Sequence, residues 1–209
     1  GGNSIDDDAA ILFAVVLTKN AYLKVLDLAH CHNITTEGWR YIFNALQSPR
    51  CVLEEIHLHW NYFDDEDVAY LVNTLADNSV LRQLDLSCNV LTSSGWRTFA
   101  VLLQNPNSAL EKVNLGYNEI NDDALASFAT SLVHNSKLKE LLLNGEEEDI
   151  SAITNWGVLS NVLCNKTSIN ATFNSNHTLE RILEPVMGSE SLLPSDLQTL
   201  LQLNRESTE

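Results

Sequence analysis

The sequence predicts an α/β fold built by repetition, with short strands and helices alternating along the chain. Three observations carry this reading. An apolar pattern, L-x-x-L-x-L-x-x-N/C, recurs as "LKVLDLAHC" (23–31), "LEEIHLHWN" (53–61), "LRQLDLSCN" (81–89), "LEKVNLGYN" (110–118) and "LKELLLNGE" (138–146). Its first leucines, Leu23, Leu53, Leu81, Leu110 and Leu138, are spaced by 30, 28, 29 and 28 residues, a period typical of stacked supersecondary units. Between the copies, apolar residues fall at helical intervals: Val68, Leu71, Val72 and Leu75 in one, Leu125, Phe128, Ala129 and Leu132 in another.

The elements follow in order. "SIDDDAAILF" reads as a helix entered inside a repeat whose strand lies upstream, and the opening Gly1-Gly2-Asn3, without Met, suggests a piece of a longer chain. Each later strand is followed by an apolar closing residue (Ile34, Phe63, Leu91, Ile120) and then by a helix. Asp and Glu crowd the helix starts, where free N–H groups and the macrodipole favour negative charge. A second rhythm overlies the first: "TTEGWRYIFNALQSPRCVLEEI" (35–56) matches "TSSGWRTFAVLLQNPNSALEKV" (92–113), so Gly-Trp repeats alternate with Asp-rich ones over a super-period of 57 or 58 residues. "SINATFNSNHTL" (168–179) reads as a worn sixth strand keyed by Ala171, Phe173 and Asn176. "LPSDLQTLLQLN" reads as a short helix opened by Pro194 and a Ser195/Gln198 capping box. The expected division is a solenoid over 1–183 and a tail over 184–209 that caps it or leads into a missing segment.

These residues resemble the ribonuclease-inhibitor-like leucine-rich repeat family, including its "SPRC" turn (Pro49, Cys51) and a degenerate copy, "NPNS". The resemblance covers roughly residues 1–180 and implies a right-handed α/β solenoid, a horseshoe with a parallel inner sheet and outer helices. Leu81, Leu84, Leu86 and Asn89 then point inward, and Asn89 joins Asn61 and Asn118 in a ladder whose amides satisfy backbone groups. Cys31 takes the ladder position in the first copy. Cys88 holds a variable place, occupied elsewhere by His30, Trp60, Tyr117 and Gly145, so it reads as a free thiol and not as a nucleophile.

Composition narrows the function. The 28 acidic and 12 basic residues give a formal charge of −16, which repels phosphates and anionic membranes and steers basic partners inward. No uncharged apolar run is long enough to span a bilayer, and "AAILFAVVL" (9–17) lacks the basic flank of a signal peptide. Four dispersed cysteines without a CxxC pair favour a reducing, cytoplasmic setting. Sequons at Asn33, Asn165, Asn170 and Asn176 pull weakly toward secretion.

Strand alternation places function on the concave face. Four rows result: Val25, Glu55, Gln83, Lys112, Glu140; Asp27, His57, Asp85, Asn114, Leu142; Ala29, His59, Ser87, Gly116, Asn144; and His30, Trp60, Cys88, Tyr117, Gly145. Candidate partner-binding residues are Asp27, Glu55, His57, His59, Trp60, Asp85, Lys112, Asn114 and Tyr117. Trp60 and Tyr117 beside small residues have the makings of binding hot spots. Flanking carboxylates make His57 a candidate pH-sensitive contact. A strand H-x-H can chelate zinc, although a solvated polar ladder is the simpler reading and neither a metal nor a cofactor is assigned. Trp39, Trp96 and Trp156 belong to packing.

The expected function is a non-catalytic protein–protein interaction scaffold, a monomer binding a polypeptide with a basic surface on its concave face, with no nucleic acid or membrane partner. The sequence contains no P-loop and no hydrolase elbow. The alternatives are a GTPase-activating protein of the leucine-rich repeat type, for which Arg82 is the nearest arginine, and a purely structural segment of a larger receptor or sensor.

Overall fold

A computed structural model describes residues 4–143, 145, 153–164, 167–170, 174–182 and 193–207. Helix α1 (Asp7–Lys19) precedes five strand–helix pairs. These are β1 (Val25–Asp27) with α2 (Thr36–Ala45), β2 (Glu55–His57) with α3 (Asp65–Leu75), β3 (Gln83–Asp85) with α4 (Ser93–Gln104), β4 (Lys112–Asn114) with α5 (Asp122–Leu132), and β5 (Glu140–Leu142) with α6 (Gly157–Leu163). Helix α7 (Ser195–Glu206) follows. The strands form one parallel sheet in sequence order, β1-β2-β3-β4-β5. Val25, Glu55, Gln83, Lys112 and Glu140 are register partners, as are Asp27, His57, Asp85, Asn114 and Leu142. The two rows inferred from the repeat spacing are therefore real cross-strand rows.

Each strand contributes only three residues to the sheet, so the fold depends on what lies between sheet and helices. Leu26, Ile56, Leu84, Val113 and Leu141 are buried and stack as one column. Burying a side chain of this size is worth roughly 1.5–3 kcal/mol, and the same gain repeats with every unit. Phe43, Phe63, Trp39, Phe99, Trp96 and Phe128 fill the wider helical side, with Trp39 edge-on to Phe63 at 4.8 Å and Trp96 edge-on to Phe128 at 5.4 Å. Strands stack about 4.8 Å apart whereas helix axes need about 8–10 Å. The stack therefore curves, with the sheet on the inside.

The alternating super-period has a physical cause. In the acidic repeats, the first-turn aspartate of the helix reaches across to a threonine at the helix entry of the next repeat, which is the N-cap residue in the cases of Thr35 and Thr92. Asp7 accepts from the Thr35 amide (2.8 Å) and hydroxyl (2.7 Å). Asp65 does the same to Thr92, and Asp122 to Thr154. The glycines of the Gly-Trp pairs make room for this clasp: a Cβ on Gly38 would run into Asp7 Oδ1, and one on Gly95 into Asp65 Oδ1. The acidic helix starts thus bind the neighbouring repeat as well as their own first turn. Asp64 also closes a full capping box with Asp67.

The sixth strand-like segment lies later than the sequence reading puts it. Arg181 bridges Glu140 in parallel, and Glu180, Arg181 and Ile182 continue the ladder beside β5. Asn176 belongs to the turn before this segment, its Oδ1 accepting from the Thr178 and Leu179 amides. Asn20, Asn78 and Asn135 do the same three residues ahead of Leu23, Leu81 and Leu138. N-x-x-L is therefore the entry signal, and "NHTLERI" carries it. Asn176 is 3% exposed, so its sequon is no acceptor in the folded chain. Ala171, Phe173, the Asn165 sequon and the expected 183/184 boundary lie outside the described residues.

Helix α7 packs against α6, burying Leu197 and Leu201, and Asn204 Nδ2 donates to the Leu179 and Asn176 carbonyls. Its first turn lacks the expected side-chain cap, because Pro194 stands at the N-cap and Gln198 instead donates to the Leu193 carbonyl. Among the described residues, no helix is long and apolar enough to cross a membrane.

Candidate functional site

The concave face begins where β1 to β4 end. Simple alternation would expose every second residue beyond the strands, but two local devices change that. The side chains of Asp27, Asp85 and Asn114 fold back onto the amide two residues on: Asp27 Oδ1 accepts from Ala29 N at 2.9 Å, Asp85 Oδ1 from Ser87 N at 2.9 Å, and Asn114 Oδ1 from Gly116 N at 3.1 Å. Asp85 Oδ1 also accepts from the Ser87 hydroxyl at 2.6 Å. Ala29, Ser87 and Gly116 are consequently buried, and in the third row only His59 retains substantial exposure among the described residues. The other member, Asn144, lies outside the described residues.

The second device is the backbone of the next row. His30, Trp60, Cys88 and Tyr117 have φ of 55°, 59°, 54° and 55°, the left-handed region that non-glycine residues seldom adopt. This turn aims the fourth-row side chain outward and sends the following residue into the core, where the ladder receives it. Asn61 Oδ1 accepts from Cys31 N (2.7 Å), while its Nδ2 donates to the carbonyls of Leu28 and Leu58. Asn89 and Asn118 repeat the scheme. Cys31 donates from Sγ to the Ala29 carbonyl at 3.6 Å, a weaker version of the same contact.

Trp60 and Tyr117 are each 47% exposed. Trp60 stacks on His30, with ring centroids 5.5 Å apart and planes 12° off parallel, so half its surface is supported and half is free. His32 Nε2 contacts the Trp60 carbonyl at 2.8 Å, and its ring lies 4.8 Å from that of Tyr62. His30, His32 and Tyr62 therefore join Trp60 and His59 in one cluster, which the row-by-row reading passes over. The signal was available: His30 and Trp60, and likewise His32 and Tyr62, stand 30 residues apart at the same phase of the repeat.

A match to the family model described as a leucine-rich repeat covers residues 19–43, 77–100 and 107–129. The chain is 31% identical over 148 residues to NACHT, LRR and PYD domains-containing protein 9 of Bos taurus, an alignment covering 70% of this chain and 15% of that protein. It is 28% identical over 129 residues to the ribonuclease inhibitor of Mus musculus, covering 62% of this chain and 28% of the inhibitor. The chain belongs to the ribonuclease-inhibitor-like leucine-rich repeat family. Leucine-rich repeat architecture is shared with the leiomodin-1 actin-binding site 2 structure (TM-score 0.60, 14% identity, 82% of this chain and 90% of that one). It is shared too with the tropomodulin C-terminal domain of Caenorhabditis elegans (TM-score 0.57, 14% identity, 98% and 96%). This leucine-rich repeat chain spans less than a third of the length of these curated relatives.

Within the leucine-rich repeat frame, the charged candidates are held by one another. His57 Nε2 lies 2.8 Å from Glu55 Oε1, and His57 Nδ1 lies 3.9 Å from Asp85 Oδ2. Glu55 is thus a closer partner of His57 than the cross-strand Asp85. The hydrogen bond from the Ala29 amide lowers the pKa of Asp27 below the usual carboxylate value, against the opposing pull of partial burial. Lys112 Nζ pairs with Glu140 at 3.3 Å, and Glu140 pairs in turn with Arg181 at 3.2 Å. At the strand entries, Lys24, Glu54, Arg82, Glu111, Lys139 and Glu180 alternate in sign. Arg82, the arginine nearest the face, pairs with Glu111 at the strand entries. Leu142 is fully buried, and the exposed part of its row ends at Asn114.

The four cysteines are free thiols, and Cys31 and Cys51 are buried. Burial raises the pKa of the Cys88 thiol and Asp85 raises it further, the reverse of what a nucleophile requires. Trp39, Trp96 and Trp156 are buried, in keeping with a packing role.

Proposed function

We propose that this chain is a non-catalytic interaction scaffold whose concave face binds another polypeptide through Asp27, Glu55, His57, His59, Trp60, Asp85, Lys112, Asn114 and Tyr117. The observation that carries the proposal is the pair of half-exposed aromatics, Trp60 and Tyr117, set on left-handed backbone one strand either side of Cys88. The backbone sets the direction of both side chains, and the stack on His30 holds the Trp60 ring, so less side-chain entropy remains for Trp60 to lose on binding. Acidic groups around them and the formal charge of −16 suit a partner with a basic surface. The murine relative is by name an inhibitor of ribonuclease and the leiomodin segment by name an actin-binding site, which accords with a binding role for the fold. Free thiols accord with an intracellular setting.

The test is affinity capture from native lysate, comparing the chain with a Glu55→Ala, His57→Ala, Trp60→Ala variant. Proteins retained by the first and lost by the second are the expected result. Identical capture by both, or none by either, would refute concave-face recognition and favour a structural segment of a larger protein.

A further inference from the structure

The geometry points to a transition-metal site on the concave face, suited to Zn²⁺ and formed by His57 Nδ1, His59 Nδ1 and Asp85 Oδ2. His57 and His59 stand two residues apart on one face of the β2 segment, and Asp85 is the register partner of His57 on β3. One ligand atom from each of the three lies within 4.8 Å of the others. His59 Nδ1 is 3.6 Å from Asp85 Oδ2, too long for a hydrogen bond, and among the described residues this buried nitrogen has no other partner. His57 Nδ1 is 3.9 Å from the same oxygen. Tetrahedral zinc with bonds of about 2.0–2.1 Å holds its ligand atoms about 3.3 Å apart. The two histidine–aspartate gaps close by about 0.3 and 0.6 Å, and the histidine–histidine edge, which is within 4.8 Å, by at most about 1.5 Å, a movement that side-chain rotation supplies.

The surroundings divide the labour as a metal site requires. Asp85 uses Oδ1 for the Ser87 amide and hydroxyl, leaving Oδ2 to face the histidines. His57 presents Nε2 to Glu55 at 2.8 Å, the carboxylate–histidine arrangement that fixes the tautomer and ring direction of a metal-bound imidazole. His59 is braced edge-on by His30, with centroids 5.8 Å apart. Lys112, the nearest cation along the rows, is drawn toward Glu140. The three ligating side chains are 31%, 30% and 21% exposed, which leaves a path for the ion and a coordination position open to solvent. The site stands on these residues alone and is independent of any polypeptide partner.

Chelator-treated protein titrated with Co²⁺ and then Zn²⁺, by calorimetry and visible absorption, tests this. One equivalent of Co²⁺ with a tetrahedral d–d spectrum, displaced by Zn²⁺, is expected. His57→Gln and His59→Gln should each abolish it, while His134→Gln and His177→Gln, at exposed positions away from the site, should not. Asp85→Asn is the discriminating variant, because Asn114 shows that an amide oxygen holds the same backbone cap. It should fold normally by circular dichroism yet lose at least tenfold in affinity, and Glu55→Gln should lose about 10–100-fold. Absence of saturable binding overturns the site, as does binding that survives the His57→Gln, His59→Gln double substitution or is unchanged in Asp85→Asn.

Discussion

Removing the amide of Asn89 should unfold the chain at markedly lower denaturant, and the structure sets the size of the loss. Asn89 Oδ1 accepts from the amides of Asn61 and Phe63, both at 3.0 Å, and the residue is 8% exposed. Its Nδ2 donates to the carbonyls of Leu58, Leu86 and Ser87. In Asn89→Ala each of those carbonyls keeps another donor: Asn61 Nδ2 for Leu58, Asn118 Nδ2 for Leu86, and the Trp60 amide for Ser87. Among the described residues the two amides have no such alternative, and they are left buried without an acceptor. At roughly 1–3 kcal/mol for each unpaired buried group, the expected loss is about 4 kcal/mol. Equilibrium unfolding in guanidinium, followed by far-UV circular dichroism, measures it as a fall in midpoint. Val90→Ala, at an exposed neighbouring position, is the control and should stay within about 0.5 kcal/mol of the parent. A loss below about 1 kcal/mol for Asn89→Ala would refute the assignment of Asn89 as the carrier of these backbone groups.

Two further outcomes follow from the clasp between repeats. Gly95→Ala should destabilise by about 1 kcal/mol even though alanine is the better helix former, because its Cβ displaces Asp65 from Thr92; in an Asp65→Ala background the same substitution should be neutral or stabilising, and additivity in the double-mutant cycle would sink the explanation. Asp122 has its pKa lowered by hydrogen bonds from the Thr154 hydroxyl and the Asn155 amide. Its contribution is present above the unfolded value near 4 and is lost as pH falls through the lower folded value, so Asp122→Asn should shrink the stability difference between pH 7 and pH 3. An unchanged difference in denaturation midpoints would count against it.

Much of the site was legible in the sequence because a repeat converts spacing into position. Once Leu23, Leu53, Leu81, Leu110 and Leu138 were aligned, the cross-strand rows followed, and the register pairs them as the spacing implied. What alternation missed was the course of the chain after the strand. The left-handed residues and the backward fold of Asp27, Asp85 and Asn114 depend on backbone torsions, and they decide that Ala29 and Ser87 are covered while Trp60 is presented. The displaced sixth strand had a similar cause: its leucine pattern was read without the entry asparagine, whose role shows only where Asn78, Asn135 and Asn176 are seen accepting the same amides.

By itself, the sequence determined the α/β repeat class, the inward column of Leu26, Ile56, Leu84, Val113 and Leu141, the asparagine ladder and the rows of the concave face. These follow from periodicity, and periodicity survives without coordinates because each unit buries the same face against its neighbour. Only the tertiary structure decided which partners the charged groups take. Glu55, and not Asp85, holds His57; Arg82 belongs to Glu111; Asp65 belongs to Thr92; and His59 Nδ1 is left facing Asp85. Such choices turn on ångström distances between side chains 2 to 30 residues apart, and a one-dimensional pattern of residue types holds no record of those distances.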